Sequence, residues 1–316
     1  MRLVTFRDLN PSEVVAETDS DGIGGFDLGE LEFEVPNEKL GVIGGDGSIF
    51  EFGEFGLEFA DMNDFIINKT KKDMQILHEI SFKVGGKAPS EVQILAPIIT
   101  PRQDIICLGI NYMDHAKESY KFKNIKFDGK REFAVYFSKR VNEAVGDGAF
   151  IDGHFEVTEK LDYECELAVI IGKDAKNVSP ENAKEYIFGY TILNDISARD
   201  LQNRHKQFYF GKSLDGFTAM GPHIITADEL DSSNLDIKCF INGELRQNSN
   251  TSKMIFDENF VIAELSAAMT LKAGTIISMG TPSGVGMGFE PPKFLQSGDE
   301  IICEIEKIGR LRNIVK

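Results

Sequence analysis

The sequence predicts an α+β protein rich in mixed sheet, and three observations predict it. Short apolar or alternating runs outnumber stretches of helical spacing, the helical stretches are short, and strands and helices do not alternate as they would in a doubly wound fold.

The elements follow in chain order. Residues 1–98 are acidic, rich in Gly and Asp, and broken into short pieces such as ELEFEV and KLGVIGGDGSIFEF, so they read as a small, mainly β N-terminal domain closing near Ala96-Pro97. Residues 99–316 form the larger domain. IICLGI (105–110) is a short buried-type strand running into a loop at Asn111. DYECELAVIIG (162–172) begins with alternation and ends in a continuous apolar run, the pattern of a strand that becomes buried on both faces. Ser179-Pro180-Glu181 is a helix start, with Ser as cap, Pro at the first helical position and an acid in the first turn. YTILNDI (190–196) is the next strand, and a short helix follows through ARDLQNRHK. KCFINGELRQ is a hairpin turning at Asn242-Gly243, a type I′ pair. VIAELSAAMTL (261–271) has helical spacing behind a cap at Asp257 or Asn259, and EIICEIEKIGRLRNIV closes the chain as a strand pair.

Composition narrows the function. Asp plus Glu outnumber Lys plus Arg by 51 to 34, a formal charge of −17, and so acidic a surface repels phosphate backbones and anionic lipid. Nucleic-acid and membrane binding are therefore not expected. Apolar runs fall short of the roughly 18 residues that span a bilayer, and the first residues lack the pattern of an export signal. The four cysteines stand singly and read as reduced thiols, so a cytoplasmic location is expected.

The chemistry-bearing pattern is Asp162-Tyr163-Glu164-Cys165-Glu166. Strand alternation puts Glu164 and Glu166 on one face with Asp162 beside them, and Tyr163, Cys165 and Leu167 on the other. An isolated Glu-X-Glu is ordinarily a solvated face. Here the strand runs on into AVIIG, and a second buried-looking strand also ends in a lone acid, Asp195. Clustered carboxylates in such a place must reach solvent or share a cation. Oxygen ligands from two strands suit Mg²⁺ or Mn²⁺, and no Cys or His spacing favours zinc.

With these residues in place, the chain from about 99 to 316 resembles the fumarylacetoacetate hydrolase family. The resemblance rests on six ordered motifs: GINYMDHAKE (109–118), LDYECELAVIIGK (161–173), ILNDISARDLQ (192–202), FGKSLDGFTAMGPHIIT (210–226), INGELRQNSNTSKMIF (241–256) and GTPSGVG (280–286). It implies a mixed β-roll, commonly a homodimer, with a metal at one end held by Glu164, Glu166 and Asp195. It further implies that Lys212 is the active-site lysine, that Thr281 lies near the substrate carboxylate, and that His115 and Glu118 match a pair found in the shorter, acylpyruvase-like members. Where the fumarylacetoacetase proper has a ligating Asp this chain has Asn111, which groups it with the smaller relatives. The family's Trp before the active-site lysine is replaced by Gln207-Phe208-Tyr209.

A small anionic 2-oxo acid would chelate the metal, which as a Lewis acid stabilises the enolate formed when a bond β to the ketone breaks. Lys212 would add a fixed positive charge there, although a Gly-flanked lysine equally reads as a surface residue. His115 and Glu118, three apart, share a helix face, so the carboxylate can orient the imidazole to take a proton from water; the same spacing also fits a plain surface pair. Gln202 and Arg199 follow Asp195 by helical spacing and could reach the substrate, while Arg199 could instead pair with Asp200 or Asp195. The stretch from Lys117 to Arg131 is locally basic, either a lid drawing in an anion or a solvated loop. The leading expectation is metal-dependent C–C hydrolysis of a 3-acylpyruvate or related 2,4-dioxo acid. An isomerase or decarboxylase of 2-oxo or 2-hydroxydienoate diacids, or of oxaloacetate, would use the same site. A metal-binding homologue without catalysis is the reading from another class.

Overall fold

The computed structural model describes residues 1–9, 38–122, 126, 129 and 132–316. The expected strand ELEFEV lies outside the described residues, as do Lys123, Lys130 and Arg131 of the basic stretch.

The chain opens with β1 (Arg2–Asp8), the hairpin of β2 (Lys39–Ile43) and β3 (Ile49–Glu51), helices α1 (Met62–Asn68) and α2 (Lys71–Ile80), and β4 (Val92–Ile94). Thr70 caps α2 in a reciprocal box with Asp73. Next come β5 (Ile105–Gly109), α3 (Met113–Phe122), β6 (Val135–Lys139), β7 (Phe150–Ile151), β8 (Leu161–Asp162) and β9 (Cys165–Ile171). A 3₁₀ turn over Pro180–Tyr186 occupies the helix start expected at Ser179, whose side chain makes no capping bond. It leads into β10 (Ile187–Asp195), β11 (Ser197–Ala198), α4 (Arg199–His205), α5 (Tyr209–Lys212) and β12 (Thr218–Thr226). β13 (Asp236–Ile241) and β14 (Glu244–Asn250) meet at Asn242 (φ 51°) and Gly243 (φ 78°), the two left-handed residues of the expected turn. α6 (Glu258–Ala268) starts at Asp257, whose side chain accepts from the Phe260 N–H, and β15 (Ile276–Ser278), β16 (Glu300–Ile305) and β17 (Gly309–Val315) complete the chain.

Strands dominate and the helices are short, as the α+β reading requires. One ten-stranded mixed sheet runs β3-β2-β1-β12-β10-β9-β15-β5-β6, with β4 also on β1; a five-stranded sheet runs β14-β13-β16-β17-β7. β1 pairs antiparallel with β12. The segment before residue 98 therefore continues the large sheet across the boundary expected near Ala96-Pro97, and it contributes two helices alongside its strands. No helix among the described residues is long and apolar enough to cross a membrane.

Alternation along β9 explains where the two cores lie. Cys165, Leu167, Val169 and Ile171 face the small sheet, packing with Ile237, Cys239, Ile301 and Cys303. Ala168 and Ile170 face the other way, into a second core with Met62, Phe65 and Leu77 from α1 and α2. Both faces are covered, which is why the run AVII carries no polar residue.

Candidate active site

The parity that sorts the cores also builds the site. On the face of β9 that carries Ile170 and Ala168, the next inward position is Glu166, and Glu164 lies just before the strand begins. β10 carries Leu193 on that same face and then Asp195. Leu193 pairs with Glu166, Asn194 with Cys165, and the Asp195 N–H donates to Glu164 O at 2.9 Å. Glu164, Glu166 and Asp195 are thereby gathered, all buried, with ligand oxygens within 4.8 Å of one another. Asp162, expected beside them, turns away to other partners.

Three basic side chains contact these carboxylates. Lys212 Nζ bridges Glu164 Oε2 (2.5 Å) and Asp195 Oδ2 (2.6 Å). Arg199 donates to Glu164 Oε1 (2.7 Å) and Asp162 Oδ2 (2.9 Å), not to Asp200 or Asp195. Lys139 is fully buried, with its ammonium on Asp195 Oδ1 (2.5 Å), Phe217 O (2.5 Å) and Ile196 O (3.2 Å). Burial works to raise the Glu164 carboxyl, but the charges of Lys212 and Arg199 outweigh it and hold the group well below the usual carboxylate range. Glu166 goes the other way: burial first, then the charges of Asp195 and Glu164, push it well above that range.

These residues fit a hard divalent cation. Each carboxylate oxygen that accepts one N–H or O–H keeps a second lone pair, the donors are all oxygen, and the Cys165 sulfur faces the opposite core. Glu166 is aimed by Ser278 Oγ (2.5 Å) and the Gly280 N–H (2.9 Å), both on Oε2. A bound cation would be held by Glu164, Glu166 and Asp195, and it would relieve the repulsion that raises Glu166.

A stability prediction follows with its sign. The folded-state pKa of Glu166 lies above the ordinary 4.5, so the folded state binds the proton more tightly than the unfolded state does. Stability without metal therefore falls as pH rises from 4.5 through the folded value. Glu166→Gln removes that penalty, so thermal melts of the EDTA-treated variant at neutral pH should lie above wild type, the gap closing below 4.5. A lower melting temperature for the variant at neutral pH would contradict this.

The proposed acid–base pair forms on α3. His115 Nδ1 lies 3.0 Å from Glu118 Oε2, and Glu118 Oε1 accepts from the Gly284 N–H at 3.0 Å. With Glu118 accepting, Nδ1 carries the hydrogen and Nε2 offers its lone pair. His115 is buried against a cleft that Glu164, Glu166, Lys212, Gln202 and Thr281 also line, with Phe137 and Phe208 as apolar wall. Asp195 sits beneath the cleft floor and Glu118 behind the imidazole. All nine residues singled out in the sequence are thus at one place.

Their roles differ in detail. Arg199 donates its remaining Nη1 to Gln202 Oε1 at 3.1 Å, which leaves the Gln202 amide nitrogen as the donor toward the cleft. The Thr281 hydroxyl donates to Cys165 O (3.0 Å) and accepts from Gln247 Nε2 (2.8 Å), so it is engaged at both ends by protein. Lys139 was not picked out from the sequence; a lysine ending the strand VYFSK is its one signal.

Asn111 explains its own amide. Its Nδ2 donates to Phe256 O (2.9 Å) and Met279 O (2.8 Å), and its Oδ1 accepts from the Phe256 N–H (2.9 Å). It staples three loops. Asn111→Ala should cost about 2–3 kcal/mol by stranding buried backbone groups, measurable as a shift in urea midpoint. An unchanged midpoint would show that water replaces the amide.

Comparison with known proteins identifies the family. The model of the fumarylacetoacetate (FAA) hydrolase C-terminal domain matches residues 104–316. The chain is 49% identical over 225 residues, 71% of its own length and 73% of the relative's, to the oxaloacetate tautomerase YisK of Bacillus subtilis (strain 168). A solved fumarylacetoacetate hydrolase from the psychrophile Exiguobacterium antarcticum is 38% identical and superposes with a TM-score of 0.75, covering 88% of this chain and 95% of that one. The 5-carboxymethyl-2-hydroxymuconate delta-isomerase of Mycobacterium smegmatis is 27% identical with a TM-score of 0.69, covering 100% of this chain and 99% of that one.

Proposed function

The chain belongs to the fumarylacetoacetate hydrolase family, and from that premise we propose that it interconverts the keto and enol forms of a small 2-oxo acid such as oxaloacetate. The observation that carries the proposal is the imidazole of the His115–Glu118 pair lining the same cleft as Glu164, Glu166 and the Lys212 ammonium, with Asp195 gathered to those two carboxylates. A divalent cation held by Glu164, Glu166 and Asp195 would supply Lewis acidity at the ketone. Gln202 presents its amide N–H groups to the substrate carboxylate.

His115 Nε2 takes a proton from the carbon next to the ketone; the electron pair of that C–H bond becomes the carbon–carbon double bond as the carbonyl π pair moves onto the ketone oxygen. Lys212 spends two of its ammonium hydrogens on Glu164 and Asp195 and keeps a third for that oxygen. The imidazolium, steadied by Glu118, then returns the proton to oxygen to give the enol; the reverse sequence restores the ketone. No water is consumed.

C–C hydrolysis ranks first from the sequence, because the same pair can activate water. The names of the tautomerase and delta-isomerase relatives support isomerisation ahead of it. Proton NMR in D₂O separates the two with Mg²⁺-loaded protein. The tautomerase reading expects rapid loss of the C3 proton signal of oxaloacetate without pyruvate. Cleavage of acetylpyruvate to acetate and pyruvate, with oxaloacetate exchange no faster than in buffer, would replace it with the hydrolase.

A further inference from the structure

One glycine-rich turn lies where the two halves of the site meet. The Gly284 N–H donates to Glu118 Oε1 at 3.0 Å, while the Gly286 and Met287 N–H groups donate to Asp162 Oδ1 (2.6 Å) and Oδ2 (3.0 Å). Asp162 is fully buried and also accepts from Tyr163 N (3.0 Å) and Arg199 Nε (2.9 Å), so four N–H donors converge on one carboxylate that is not among the gathered ligands.

Space is the second observation. A Cβ at position 288 would lie 1.9 Å from Glu118 Oε1, and one at 286 would lie 2.7 Å from Asp162 Oδ1. Gly284 itself has φ +99°. The backbone approaches both carboxylates more closely than a residue with a side chain permits.

We infer that the turn Gly284–Gly288 registers the acid–base pair against the metal carboxylates, with Asp162 as a positioning residue. One arm runs through Glu118 to His115. The other runs from Asp162 to Arg199, which grips Glu164 Oε1 and fixes the Gln202 amide. The first arm rests on the reading of His115 as the base; the second concerns cation affinity and is independent of the substrate.

The two arms fail separately. An amide nitrogen cannot accept, so Asp162→Asn turns an N–H against donors and leaves Arg199 without its own anion, drawn onto Glu164 in competition with the cation. Calorimetric titration of the EDTA-stripped protein with Mn²⁺ should show affinity weakened about 10-fold or more. Gly288→Ala, at a half-buried position, displaces Glu118 and should lower kcat about 10-fold or more, with KM and Mn²⁺ affinity unchanged, on whichever 2-oxo acid the wild type turns over. Mn²⁺ affinity unchanged in a folded Asp162→Asn protein overturns the metal arm. Wild-type kcat in Gly288→Ala, or a fall in Mn²⁺ affinity equal to that in kcat, overturns the arm through Glu118. Failure of the tautomerase reading alone leaves the Mn²⁺ titration result standing.

Discussion

Glu166→Gln is expected to lose turnover by about 10³-fold or more, because the Lewis acidity it helps hold is worth several kcal/mol at the ketone. The same substitution is expected to raise the melting temperature of the metal-free protein. The pairing follows from one cause. Glu166 is buried beside Asp195 and Glu164, which disfavours its charged form, and a shared cation would offset that cost. Removing Glu166 relaxes the fold and empties the site of its reason to bind metal. Steady-state rates with added Mg²⁺, alongside melts with and without EDTA, read both effects. A variant that keeps turnover would show that Glu164 and Asp195 suffice, and a variant that merely unfolds would contradict the electrostatic account.

His115→Ala is expected to lower kcat by about 10²–10⁴-fold, the ordinary worth of a positioned general base, with Mn²⁺ affinity at the wild-type level. In the proposed mechanism its Nε2 is the base, while Nδ1 lies 3.0 Å from Glu118 Oε2. Glu118→Gln should lose less, since an amide oxygen can still accept from Nδ1 but does not steady the imidazolium that forms. Equal kcat in wild type and His115→Ala would transfer the proton-handling role to another group, with Lys212, which also lines the cleft, the next to substitute.

Much of the site is legible because strand parity is local. Glu164 and Glu166 share a face by alternation, and the apolar run after them already says that this face is buried. Asp195 is legible as the lone acid ending a strand of nine buried residues. The hairpin at Asn242-Gly243 and the Asp257 cap are legible because a short backbone pattern decides each.

What the sequence hides is set by long-range pairing. Lys139 meets Asp195 and the carbonyls of Ile196 and Phe217, which lie 56, 57 and 78 residues away, and nothing within VYFSK announces them. Arg199 has Asp200 as its sequence neighbour, yet Asp200 accepts from Thr158 Oγ1 and the Glu159 N–H at the start of α4, which leaves Arg199 to Asp162 and Glu164. The pairing of β1 with β12 joins residues more than 200 apart, so the continuity of the large sheet into the N-terminal segment cannot be read locally. The choice between hydrolysis and tautomerisation is hidden for another reason: the same set of imidazole, carboxylates and lysine suits either reaction.

The most direct test follows the enol of oxaloacetate by its ultraviolet absorbance after mixing with enzyme in a stopped-flow cell. Wild type with Mg²⁺ should bring the enol to its keto–enol equilibrium much faster than buffer does, and EDTA or His115→Ala should return the decay to near the buffer rate. A decay that wild type does not accelerate, or one that EDTA leaves untouched, would contradict a metal-dependent tautomerase built on these residues.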